Sequence, residues 1–171
     1  MTDHIGAERV AFQDENERAQ MDLRDIMLVL HIAAAGSWLG ANLIQAVVPT
    51  MAAKQGAGTA AGWYRIAGQL SSRFYAPVAI LILITGSVLV LQDERYGFGT
   101  LFVTFGFGMI IIGALIGKFI LEPGSERAAR AVESGDQGMI KAAVGRLATF
   151  GTVDTLLVLF TITAMVLRLG T

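Results

Sequence analysis

The sequence contains no cysteine. That absence excludes disulfides, thiolate metal ligands, iron–sulfur clusters and thiol nucleophiles. Histidine is nearly missing too, with only His4 and His31. Charge is scarce: 16% of the 171 residues are Asp, Glu, Lys or Arg, where a soluble domain carries about 25%. The net charge of −1 leaves no electrostatic basis for binding nucleic acid or a strongly acidic substrate. No phosphate loop, nucleophile elbow or metalloprotease helix occurs, so no catalytic residue is assigned and the chain is not expected to be an enzyme. The first 25 residues are polar and acidic. They do not read as a cleavable signal peptide, which leaves the first apolar run as the insertion signal.

What the chain does have is apolar length. Charge is nearly absent from residues 26–48, 74–91, 101–121 and 147–167 and is concentrated between them. Each run approaches the ~20 residues a helix needs to cross ~30 Å of hydrocarbon. Strands are excluded because the runs lack period-2 alternation and are about twice the length of a barrel strand. Burial inside a soluble bundle would require a polar face on every helix, and Ile80-Leu81-Ile82-Leu83-Ile84 or Met109-Ile110-Ile111-Ile112 has none. The expected fold is all-α: a four-transmembrane-helix bundle over 26–171, preceded by an acidic extramembrane tail over 1–25. That tail holds seven acids and three arginines, and Glu8 to Met21 could form an amphipathic surface helix. Asp22 or Asp25 can cap span 1, Pro49 is expected to end it, and Glu122-Pro123-Gly124 to end span 3.

Loops 49–73 and 122–146 are long, and 92–100 is a tight turn. The long loops with Lys118 carry eight basic residues against five on the other side. The excess of Lys and Arg on cytoplasmic loops places the long loops in the cytoplasm and both termini outside, as in a bacterial inner membrane.

A shift of 77 positions lays Gly36-Ser37-Trp38-Leu39-Gly40 over Gly113-Ala114-Leu115-Ile116-Gly117, and Gly68-Gln69-Leu70 over Gly145-Arg146-Leu147. This pattern suggests two parallel helix–loop–helix hairpin repeats. Paired glycines one turn apart allow close backbone approach. Spans 1 and 3 are therefore expected to cross at Gly36/Gly40 and Gly113/Gly117, unless one of these faces meets another subunit.

Polar groups at membrane depth are the candidate site residues. His31 could ligate haem or copper or carry a proton, or simply bond a neighbouring helix. A bis-histidine haem is not expected within one chain, because Gly108 takes the place of His31 in the second repeat. Asp154 could handle a proton or cation, or pair with Arg73, Arg146 or Thr152. Asn42 and Gln45 share a face of span 1 and could bind a polar headgroup or a quinone, or bond between helices. Trp38, Trp63, Tyr64, Tyr75 and Tyr96 fit interface anchors, although Trp38 lies deep. Methionines are scattered.

The run Leu30-His31-Ile32-Ala33-Ala34-Ala35-Gly36-Ser37-Trp38-Leu39-Gly40 resembles the first-span signature of copper resistance protein D-like membrane proteins and of a broad set of bacterial four-helix membrane proteins. The stretch from Arg73-Phe74 to Thr85-Gly86 resembles their second span. The resemblance implies a copper or haem link through His31, but this chain lacks their methionine and histidine clusters.

The first expectation is a non-catalytic structural or accessory subunit in contact with lipid and with other membrane subunits or further copies of itself. The alternatives are a haem- or copper-binding protein using His31, and a small proton- or cation-coupled transporter acting as an oligomer through Asp154, Asn42 and Gln45.

Overall fold

The computed structural model describes residues 3–170, and side chains for 23–170. All regular structure among the described residues is helical: α1 Asp3–Lys54, α2 Ala57–Leu70, α3 Ala76–Leu91, α4 Leu101–Ile116, α5 Glu122–Ser134 and α6 Gln137–Val166. The side-chain pattern expected over residues 8–21 lies outside the described side chains.

Chain breaks fall where glycine permits them. Gly56 has φ +115° between α1 and α2, and Gly135 has φ +72° between α5 and α6, backbone conformations that cost other residues energy. Asp136 then caps α6, its carboxylate accepting from the Met139 amide at 3.0 Å.

A third break is the turn over 92–100 between α3 and α4; at the two remaining junctions the helices continue. α2 and α3 are joined through a π turn at Ser71–Tyr75, and α4 and α5 through another at Gly117–Leu121. Each turn ends two residues before a proline, Pro77 or Pro123. A proline lacks the N–H for the helical ladder and clashes with the carbonyl four residues back. The wider turn supplies room at that point. The expected helix ends at Pro49 and at Glu122-Pro123-Gly124 are corrected accordingly. Pro49 lies inside α1, and Pro123 falls in the first turn of α5, where its missing N–H is least costly. Both long loops are thus helical extensions of the spans.

Among the described residues, four continuous helices are long and apolar enough to cross a membrane: Leu23–Lys54, Ala57–Leu91, Leu101–Ser134 and Gln137–Val166. Large apolar side chains face outward along them, including Val29 (65% exposed), Ile80 (58%) and Leu156 (60%). Water would penalise such a surface, whereas lipid accepts it. The chain is a multi-pass membrane protein. A shift of 77 moves the first helix pair onto 100–131 and 134–168, within three residues of the second pair's bounds.

Around the bundle, neighbours are α1 and α3, α3 and α4, α4 and α6, and α6 and α1. Spans 1 and 3 therefore stand diagonally opposed, which corrects the crossing expected on their glycines. A Cβ at Gly36 or Gly40 would meet nothing within 4 Å. Gly117 instead faces the Ser71 hydroxyl, 3.4 Å from where its Cβ would stand, so the two π turns touch. Gly113 is taken up by a side chain of α1, described below.

At the end carrying the α1–α2 and α5–α6 breaks, called here the loop side, α2 packs along α5. Ala61 is 1% exposed, and Ala128, Ala129 and Ala131 are fully buried. Side chains this small let two backbones approach closely. Arg65 and Glu133 tie the exposed edge at 2.5 Å.

Candidate intramembrane binding site

Polar atoms at membrane depth have no water to satisfy them, so they find one another. Asp154 projects from α6 about 10 Å past Leu147, seven residues into the apolar stretch. It is 4% exposed. Its Oδ2 accepts from Trp38 Nε1 at 3.1 Å and from Asn42 Nδ2 at 2.8 Å. The two donors are four residues apart on α1 and therefore share a face.

The chain of bonds extends toward the loop side. Asn42 Oδ1 accepts from the Tyr75 hydroxyl at 2.7 Å, and that oxygen accepts from Gln45 Nε2 at 2.6 Å. Every donor in the series points toward Asp154, so each bond polarises the next and concentrates positive potential at Oδ2. Amides do not readily give up protons, so this series orients the carboxylate and does not conduct protons. Tyr75 also meets the Trp38 ring edge-on, centroids 5.1 Å apart.

The opposite wall is backbone. A Cβ on Gly113 would stand 2.9 Å from Asp154 Oδ1 and 3.2 Å from Trp38 Cζ2. Glycine at 113 thus makes room for an indole and a carboxylate, not for a second helix. The partners expected for Asp154, namely Arg73, Arg146 and Thr152, are replaced by Trp38 and Asn42, which α1 presents on the face that α6 meets. Among the described residues, no hydrogen bond or ion pair reaches Oδ1.

His31 lies seven residues before Trp38 on α1, about 10 Å along the axis. Its Nδ1 is 2.9 Å from Thr85 Oγ1. The Thr85 hydroxyl lies 2.7 Å from the Leu81 carbonyl, which can only accept. Thr85 therefore donates to Leu81 and accepts from His31 Nδ1–H. That assignment leaves Nε2 as the lone-pair nitrogen of the neutral ring. Gly86 makes space for the imidazole, since a Cβ there would stand 3.2 Å from His31 Cε1.

Both residues line one half-open cavity of about 460 Å³ between α1, α3, α4 and α6. Its other walls are almost wholly apolar, among them Ile82, Phe102, Phe107, Ile110 and Val158. His31 and Asp154 sit at different depths of this chamber, and no hydrogen bond joins them directly. Met109 and Met165 also line it, although the sequence shows them only as scattered methionines. The described residues contain no group of three or more His, Asp or Glu placed to hold a metal ion. His31 offers one nitrogen to a metal or haem, and Met109 and Met165 are thioethers on the same cavity.

Sequence reasoning singled out Asp154, His31, Asn42 and Gln45 separately. It read Tyr75 as an interface anchor and did not single out Thr85; the depth of Trp38 was the one cue that its indole N–H needed an internal partner. Comparison with protein families, curated proteins and solved structures finds no match.

Proposed function

We propose that this chain is a small membrane protein that binds and exchanges a cation at Asp154, a proton being the simplest occupant. The observation that carries this reading is the free Oδ1. A buried carboxylate held only by neutral N–H donors at Oδ2 keeps an uncompensated charge, which is costly in a low dielectric. A proton or cation arriving through the chamber removes that cost. The basic excess of the long loops supports placing the loop side in the cytoplasm and the chamber toward the outer face of a bacterial inner membrane. In that orientation the occupant enters from outside. Transport across the bilayer would require the loop side to open as well, and four helices suit that task best as an oligomer. The near-coincidence of helix bounds under the 77-residue shift supports an origin by duplication. Pro77 stands where the second copy has Asp154, so the first half has no counterpart of this carboxylate.

The open Gly36/Gly40 face favours a second reading, an accessory subunit that meets a partner or another copy there.

Difference infrared spectroscopy on protein in lipid tests the first reading. The protonated-carboxyl band that appears on acidification should lack one component in Asp154→Asn, over the bands that the other acids give in both proteins. A spectrum identical in the two proteins refutes cation exchange at this residue.

A further inference from the structure

A proton needs no chamber, yet Asp154 stands on the wall of one. Its volume of about 460 Å³ lies within the roughly 300–1,000 Å³ range of pockets that take organic ligands. The lining is the second constraint. Hard inorganic cations such as calcium or magnesium require about six or more oxygen ligands. This chamber offers Asp154 Oδ1 at one level and the His31 ring about 10 Å away. The Thr161 hydroxyl on its wall donates to the Leu157 carbonyl of its own helix at 2.8 Å. An inorganic ion would lose its hydration here and gain little.

An organic cation meets both constraints at once. Its charge faces the carboxylate oxygen that Trp38 and Asn42 leave unbonded, and its apolar body covers Ile82, Ile110 and Val158. The Trp38 ring edge and Asp154 Oδ1 converge on Gly113, within 3.2 and 2.9 Å of the same point. A cation seated at Oδ1 therefore lies close enough to the indole for Trp38 to report its arrival.

We infer that the chamber between α1, α3, α4 and α6 is a binding site for a hydrophobic organic cation, with its charge at Asp154 Oδ1 and its apolar body extending toward His31. This inference rests on the proposed role of Asp154 in cation exchange and names the class of cation.

The test uses benzyltrimethylammonium, whose charge lies at one end and whose ring is at the other, and the full chain in neutral detergent. The sequence has two tryptophans, so Trp63→Phe leaves Trp38 as the sole reporter. Titration should change Trp38 fluorescence saturably. Asp154→Asn should weaken binding on the order of tenfold or more, one ion-pair's worth of affinity. Neopentylbenzene, the neutral isostere, should bind at least about tenfold more weakly than the cation. Ala35→Phe, which narrows the chamber, should weaken binding while the Asp154 carboxyl stretch persists. Equal affinity for the neutral compound, an unaffected Asp154→Asn variant, or no saturable change in the wild type overturns the inference. If the carboxyl stretch survives such a failure, cation exchange at Asp154 stands and only the organic class falls. If the stretch is missing too, both fall.

Discussion

Gly113 provides the sharpest test of the site's geometry, because one methyl group probes it. Replacing glycine by alanine inside a helix has two opposing effects. The first is backbone ordering, which favours alanine by up to about 1 kcal/mol. The second is contact. At Gly113 the new Cβ would stand 2.9 Å from Asp154 Oδ1 and 3.2 Å from Trp38 Cζ2. Neither atom gives way cheaply, since the indole and carboxylate are bonded to each other at 3.1 Å and the carboxylate to Asn42 at 2.8 Å. Overpacking of this kind costs about 1–3 kcal/mol. Gly108 lies on the same helix, and a Cβ there would meet nothing within 4 Å. Gly108→Ala carries the first effect alone and serves as the control. Gly113→Ala should therefore be less stable than Gly108→Ala by about 1–3 kcal/mol, read from unfolding in mixed micelles of rising dodecyl sulfate fraction. Equal stability of the two variants would refute the placement of Asp154 and Trp38 against α4.

Two further outcomes test other parts of the molecule. In the turn between α3 and α4, the Arg95 guanidinium bonds Asp93 at 3.0 Å through two nitrogens and lowers its carboxyl from the usual 3.8 to about 2. Because the folded value lies below the unfolded one, the stabilisation is fully present above about 4 and fades as the pH falls through about 2. Arg95→Gln should return the Asp93 titration, followed by carboxyl NMR, toward its ordinary range, and a titration unmoved by that change would contradict the pairing. On the loop side, Ala129→Leu inserts a branched side chain where alanine is fully buried. It should cost about 1–3 kcal/mol or more, whereas Arg65→Gln, which removes an exposed ion pair, should cost under about 1 kcal/mol. Similar costs for the two would argue against the close α2–α5 packing.

The membrane-spanning character and the four helices were legible in the chain because both are local properties. A helix satisfies its own backbone bonds, and apolar runs of bilayer length report themselves without reference to any partner. The breaks at Gly56 and Gly135 fall inside the stretches 49–73 and 122–146 that read only as long loops. Prolines were less legible. Pro49 and Pro123 read as stops, yet the helices continue: Pro123 sits in a first turn that follows a wider one, which removes most of its cost, and Pro49 stands inside α1, whose helix runs on to Lys54. Rare polar residues at depth could be singled out one at a time, but their partners could not. Asp154 meets Trp38 and Asn42 across 116 and 112 residues of sequence. That meeting depends on how α1 and α6 are rotated about their axes. Each residue turns a helix by about 100°, so the face a residue presents is decided by packing with neighbouring helices and not by its place in the sequence. The same rotation left Gly36 and Gly40 open and put Gly113 opposite an indole. Helices and their number follow from the sequence alone. The site exists only because tertiary packing brought one carboxylate, two N–H donors and an apolar chamber to the same depth.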